Sequence, residues 1–176
     1  YDKEIIIDLS SIEPVVAQPH SPDNVIEISQ LDKIKVDQVA IGSCTNSSYE
    51  DLVLLANILK EQKVHPDVSL VISAGSSNIL SMLAENGALA KIIASGARIL
   101  ESSCGPCIGM GQAPKSKGVS LRTFNRNFKG RSGTMDSDVY LVSVETAAAS
   151  ALEGYLVSPM NLDIPYEKIQ LPDKFE

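Results

Sequence analysis

Val36-Asp37-Gln38-Val39-Ala40-Ile41-Gly42-Ser43-Cys44-Thr45-Asn46 is the stretch on which the reading of the fold turns. Its first seven residues read as a strand that ends in glycine and empties into a polar loop. The run after it, Ser47 to Gln62, places Leu52, Leu55, Ala56 and Leu59 at helical spacing. Ser47 or Ser48 suits the N-cap, with Glu50 and Asp51 favourably placed in the first turn. The same strand–loop–helix grammar then repeats. Val68 to Ser73 is a strand that runs into Ala74-Gly75-Ser76-Ser77, a helix over Asn78 to Glu85 stops at Asn86-Gly87, and a shorter helix spans Ala88 to Ser95. Ala97 to Glu101, Val119 to Phe124 and Val139 to Val142 read as further strands, and Glu145 to Glu153 as an alanine-rich helix ended by Gly154.

Strands alternating with helices predict a three-layer α/β domain, its sheet mostly parallel and helices on both faces. Ligands of such sheets gather outside the carboxyl ends of the strands. Cys44, Ser76, Cys104, Cys107 and Arg126 all follow expected strands directly, so the unusual loops should meet at one edge.

The flanks read differently. Glu4-Ile5-Ile6-Ile7-Asp8 suggests a short strand, and Leu9 to Asn24, with Pro14, Pro19 and Pro22, suggests an extended arm over the surface. The expected organisation is a strand and proline-rich arm over 1–35, the α/β domain over 36–157, and an exit tail over 158–176. The chain has 176 residues, 44% hydrophobic and 21% charged, ordinary for a globular domain with a substantial core. No apolar run approaches the ~20 residues of a membrane span. A net charge of −7 argues against a nucleic-acid surface but not against a small anion held by a few arginines. Three cysteines, an odd number, fit a reducing cytoplasmic setting better than a secreted disulfide framework. The chain starts at Tyr1 with nothing like a signal peptide, as expected of a piece of something longer.

All three cysteines lie in glycine-containing loops: Cys44 above, and Cys104 and Cys107 in Ser103-Cys104-Gly105-Pro106-Cys107-Ile108-Gly109. Four readings compete. Buried cysteines can act as small hydrophobes. A Cys-x-x-Cys pair can cycle as a redox couple, which leaves Cys44 without a role. A structural zinc site wants a fourth ligand, for which only His20 or His65 could supply imidazole. Three thiolates on an iron–sulfur cube would leave one iron without a protein ligand, a Lewis acid open to water and substrate oxygen. On spacing alone the cluster stands only a little ahead of zinc. Asn125-Arg126-Asn127-Phe128-Lys129-Gly130-Arg131 adds two arginines after a strand end. Guanidinium forks bind carboxylates in bidentate fashion, so a substrate with two or three carboxylates becomes the natural hypothesis.

Ile41-Gly42-Ser43-Cys44-Thr45-Asn46, Cys104-Gly105-Pro106-Cys107-Ile108-Gly109 and Asn125 to Arg131 resemble, in order and at compatible separations, the three signatures of the aconitase superfamily. The resemblance extends over most of the chain and implies an aconitase-type α/β domain that carries a 4Fe–4S cluster in a hydro-lyase of hydroxy acids. It implies that Cys44, Cys104 and Cys107 ligate the cluster, that Asn125 lies beside it, and that Arg126 and Arg131 hold substrate carboxylates. Asn46 and Ser76 lie in the adjoining loops as further substrate contacts.

The resemblance also implies what is missing here. In the family the site is completed by other domains, an earlier one with Asp–His pairs and a later one with a serine base. The present chain is then expected to be inactive alone, and its exposed cluster easily lost. Ser43 and the Asn46 to Asp51 continuation lean toward aconitate hydratase, which converts citrate to isocitrate by way of cis-aconitate. The ending Lys129-Gly130-Arg131-Ser132-Gly133 leans toward homoaconitase or the 3-isopropylmalate dehydratase large subunit. Aconitate hydratase is the leading expectation and those two the alternative. Outside the enzymes, the alternatives are a zinc-stabilised structural module and an RNA-binding iron sensor, the second disfavoured by the acidic balance.

Overall fold

The structure, a computed structural model, describes residues 1–162 and 168–172. Among these, the strands β1 (Val15–Ala17), β2 (Val25–Glu27), β3 (Gln38–Gly42), β4 (Ser69–Ser73), β5 (Arg98–Leu100), β6 (Val119–Arg122) and β7 (Asp138–Leu141) form one sheet. The helices are α1 (Tyr49–Ile58), α2 (Ser77–Glu85), α3 (Ala88–Ala94) and α4 (Val144–Glu153). The strand order is β2-β1-β7-β6-β3-β4-β5. From β7 to β5 all pairings are parallel, while β1 and β2 close one edge antiparallel. This is the mostly parallel α/β sheet that the sequence predicts.

From β3 the chain steps outward to β4 and β5, then returns to the other side of β3 for β6 and β7. The order therefore reverses between β3 and β6. At such a switch point the neighbouring loops diverge and leave a crevice.

One face of the sheet is covered by α-helices. Val39, Ile41, Leu70, Ile72 and Leu121 point into a core filled by Leu52, Leu55 and Leu59, by Leu83 and Ile92, and by Ala147, Ala148 and Ala151. Each fully buried leucine contributes on the order of 1.5–3 kcal/mol. The alanines let α4 approach β3 closely. At its start α1 is held by a capping box: the Ser48 hydroxyl accepts from the Asp51 N–H, and the Asp51 carboxylate accepts from the Ser48 N–H.

The other face is built differently from the helical layer expected there. Ala40, Val71 and Phe124, with Leu100 and Cys107 against them, make a small apolar cluster. Beside it Gln38, Ser120 and Arg122 are buried. The cover is the irregular chain from 101 onward with a 3-10 turn at Gly105–Ile108. Gly105, Pro106, Gly109, Gly111 and Pro114 crowd that segment, and no α-helix tolerates them together.

Two flanking expectations are corrected. Glu4 to Asp8 is not a strand: among the described residues it has no pairing partner, and Ile5, Ile6 and Ile7 are exposed. β-Branched residues favour extended chain, but a strand needs a neighbour to pack against. Within the stretch expected to be an extended arm over the surface, β1 pairs with β2 and joins the sheet through Ala17 opposite Leu141. The exit tail begins with a 3-10 turn at Pro159–Asn161, and its residues 163–167 and 173–176 lie outside those described.

Candidate functional site

The Cys44 loop leaves β3 at the switch point. Gly42 has φ +124°, and a Cβ there would lie 2.8 Å from the Ser73 carbonyl carbon, so the close approach of β3 to β4 needs glycine. Ser43 follows with φ 65° and its N–H donates to the Ser73 carbonyl at 3.1 Å. Thr123, just past β6, ties the other side. Its hydroxyl accepts from the Gly42 N–H at 2.9 Å, its N–H donates to the Ala40 carbonyl at 3.2 Å, and its carbonyl accepts from the Asn46 amide. The neighbouring strand ends are tied in turn. The Gly75 N–H donates to the Ser47 carbonyl at 3.3 Å, and the Ser73 hydroxyl to the Glu101 carbonyl at 2.9 Å.

Cys104 and Cys107 sit at the start and inside the 3-10 turn, with the Cys107 N–H donating to the Cys104 carbonyl at 3.2 Å. This loop starts from β5, two strands from the switch point, and crosses back toward β6. Arg122, at the end of β6 and fully buried, receives it. The guanidinium donates to the Pro106 carbonyl at 2.7 Å and to the Gln112 carbonyl at 2.6 Å. It also donates to Gln38 Oε1 at 2.9 Å and to the Ser120 hydroxyl at 3.1 Å. Burial lowers its pKa to about 10, the Cys107 thiol opposes that fall, and the charge of Arg131 adds to it. Arg122 therefore keeps its proton at neutral pH, in electrostatic reach of both Cys107 and Arg131.

The arginine loop meets the cysteine loop along a backbone seam. Gly109 (φ +89°) lies against Ser132, and Gly133 against the Ile108 carbonyl. Arg126 is exposed and donates to the Asn125 carbonyl at 2.7 Å. Arg131 is partly buried, its guanidinium 5.8 Å from the centre of the Phe128 ring. Asn127 is wholly buried and anchors this loop, its amide donating to the Gln18 carbonyl at 2.8 Å and the Val139 carbonyl at 3.1 Å.

The loops bearing Cys44, Asn46, Ser76, Cys104, Cys107, Asn125, Arg126 and Arg131 are thus joined at the carboxyl edge of the sheet. Ser76 is engaged there as the N-cap of α2, its oxygen accepting from the Ile79 N–H at 3.2 Å while its own O–H stays available to donate. Both histidines lie toward the opposite edge. His20 sits 3.8 Å from Asp138 at the start of β7, and His65 Nδ1 accepts from the Asp67 N–H ahead of β4. A zinc site completed by either one is not supported by that placement.

All three thiols are free, Cys44 and Cys104 exposed and Cys107 half-buried. Among the described residues no three His, Cys, Asp or Glu side chains could close on one metal ion. Two buried hydroxyls next to the proposed ligand and arginine positions, on Ser43 and Ser132, have no hydrogen-bond partner. Sequence reasoning missed Arg122, Thr123 and Asn127. For Arg122 a signal existed: a lone charge in an otherwise apolar or small-residue strand, Val119-Ser120-Leu121-Arg122, at a position alternation sends inward.

Comparison with known proteins agrees with the motif reading. Residues 1–154 match the model of the Aconitase family (aconitate hydratase). The 3-isopropylmalate dehydratase large subunit of Moorella thermoacetica is 46% identical over 160 residues, which cover 90% of this chain and 38% of the relative. The 3-isopropylmalate dehydratase large subunit 1 of Methanopyrus kandleri is 43% identical over the same shares. The homoaconitase large subunit of Thermus thermophilus is 44% identical over 164 residues, 93% of this chain and 39% of the relative. The chain thus spans about two-fifths of the length of these relatives.

Proposed function

The chain belongs to the aconitase family, and from that premise we propose that it is the cluster-carrying part of a hydro-lyase for a small di- or tricarboxylic hydroxy acid. The observation that carries this reading is the stapling of the three motif loops to the end of β6, through Thr123 on one side and Arg122 on the other. The donor set fits a 4Fe–4S cluster. Three free thiols stand on loops held at one edge, no fourth is offered, and each thiolate of a cube serves a different iron, so the three need not close on one ion. Cys44, Cys104 and Cys107 would hold it, with Asn125 beside it. When bound, the cluster supplies a Lewis-acidic iron that no cysteine occupies.

The chain's own residues bind and orient. Arg126 and Arg131 present guanidinium forks to substrate carboxylates, fixing which carbon loses its proton and which its hydroxyl. The Asn46 amide is committed to the Thr123 carbonyl, so its part is to hold the Cys44 loop. The Ser76 O–H can donate to a substrate oxygen. A general acid and base are expected from the further length that the relatives carry, and from a partner to what those relatives' names call a large subunit.

As to substrate, the relatives' names favour 3-isopropylmalate or homoaconitate over citrate, so aconitate hydratase gives way to the alternative named beside it. The Lys129 to Gly133 ending leans that way too, while Ser43 and the Asn46 to Asp51 run lean the other. The test is anaerobic incubation of the chain with ferrous iron and sulfide. A brown product with broad thiolate–iron absorption, lost on changing any of Cys44, Cys104 or Cys107 to serine, is expected. Its spectrum should respond to 3-isopropylmalate or homoaconitate before citrate. A colourless, zinc-bearing product would sink the cluster, and a response to citrate alone would restore aconitate hydratase.

A further inference from the structure

We propose, resting on the cluster reading above, that Arg122 is a positioning residue for the cluster: a buried cation that docks the Cys104–Cys107 loop onto the sheet and is charge-matched to the thiolates that loop brings. Three observations lead there.

The first is burial without a counter-ion. Arg122 is 0% exposed, and among the described residues no carboxylate lies within ion-pair distance of it. Every hydrogen-bond partner is neutral: two main-chain carbonyls, one amide oxygen and one hydroxyl. Such bonds satisfy the donors but leave the charge uncompensated, and buried charges are ordinarily paired. A strand position facing a small apolar cluster could have been filled by leucine or methionine at no such cost.

The second is what it holds. Both main-chain partners, Pro106 and Gln112, belong to the loop that carries the two cysteines. Buried Gln38 and Ser120, and Arg98 at the surface, serve the same segment. The Gln38 amide donates to the Ala113 carbonyl at 3.2 Å, the Ser120 hydroxyl to Gln38 Oε1 at 2.7 Å, and Arg98 to the Gly111 carbonyl at 2.7 Å. The third is placement. Pro106 lies between the two cysteines in sequence, so the cation is fixed to the backbone that aims them. Three metal-bound thiolates would bring negative charge to this edge, the compensation that the guanidinium lacks.

The experiment separates charge from packing. Wild type, Arg122→Gln, Arg122→Lys and Gln38→Glu chains are reconstituted anaerobically with ferrous iron and sulfide. Iron and acid-labile sulfide per chain, the visible spectrum, and the rate of iron loss to a ferrous chelator are measured beside the thermal melt. Gln38→Glu is the decisive variant: it hands Arg122 a carboxylate while keeping the oxygen that accepts its hydrogen bond, and because it gives up the amide's bond to the Ala113 carbonyl, amide exchange at Met110 and Gln112 is followed to show that the loop stays docked. The expected result is iron loss at least about tenfold faster from Arg122→Gln, partial rescue in Arg122→Lys, and several-fold faster loss from Gln38→Glu with loop protection and melting temperature both unchanged. If Arg122→Gln does not fold, Gln38→Glu alone decides. Wild-type iron retention and spectrum in Gln38→Glu would overturn the proposal and leave the cluster intact. Failure of the wild type itself to take up iron and sulfide would overturn the cluster reading and the role of Arg122 with it.

Discussion

Replacing Gly109 by alanine probes the seam between the cysteine loop and the arginine loop, and Gly111 supplies its control. Both glycines have positive φ, +89° and +71°, so each alanine variant carries the left-handed penalty of about 1–2 kcal/mol. Only Gly109 is enclosed. A Cβ there would lie 2.7 Å from the Ser132 carbonyl carbon and 3.1 Å from the Gly133 Cα, both backbone atoms, whereas a Cβ at Gly111 meets nothing within 4 Å. Forcing packed backbone apart costs a further ~1–3 kcal/mol. The expected losses are therefore roughly 2–5 kcal/mol for Gly109→Ala and about 1–2 for Gly111→Ala. For a chain of this size each kcal/mol lowers Tm by about 2–4 °C. Thermal unfolding by circular dichroism should place Gly109→Ala several degrees below Gly111→Ala. Amide exchange should show loss of protection at Gly133 in the first variant and not the second, since its N–H bond to the Gly130 carbonyl lies within the seam. Equal melting temperatures together with equal exchange at Gly133 would refute the seam.

Thr123→Val keeps shape but removes the acceptor for the buried Gly42 N–H, and an orphaned buried donor costs ~1–3 kcal/mol; a fall in Tm with slack iron retention at the Cys44 loop is expected, and chemical denaturation checks the first part. Ser48→Ala removes the capping box of α1 and should cost about 1 kcal/mol in the same assay. For Asp37, burial works against the ionised form, but the Lys115 ammonium at 2.7 Å and the Val119 N–H outweigh it, so its folded pKa lies below the ordinary value. A lowered folded value means stability that is complete above the unfolded value near ~4 and lost as pH falls below it. Asp37→Asn should therefore lower Tm at neutral pH and flatten its decline below about pH 4, read from melts across pH.

The parallel sheet was legible because its strands are short apolar runs that stop at glycine or serine, followed by helices whose caps are written in the chain. Val39, Ile41, Leu70 and Ile72 needed no partner to be recognised as core. The flanks were not legible, for the opposite reason. Val15 to Ala17 is three residues long and becomes β1 only because Val25 to Glu27 and Leu141 wait beside it. Ile5 to Ile7 has the better strand composition and no such neighbour. Pairing across long separations decides both cases, and no local pattern reports it.

The candidate site divides along the same line. Strand ends can be counted along the chain, so the loops of Cys44, Ser76, Cys104 and Arg126 could be placed on one edge without knowing the strand order. What that count leaves open is distance along the edge. The order β7-β6-β3-β4-β5 sets the Cys44 and Asn125 loops side by side at the switch point, but strands the Cys104 loop two strands away on β5. The loop must double back across the sheet, on the face that α-helices do not cover, and something has to hold an irregular, glycine-rich segment there. Gln38 and Arg122 do so from strands β3 and β6, with Ser120 bracing both side chains, and they reach main-chain carbonyls that no side-chain pattern announces. A charged residue at an inward strand position is thus the mark that the topology leaves in the sequence, and the cost of burying it becomes intelligible once the loop it holds is the one that carries two of the three cysteines.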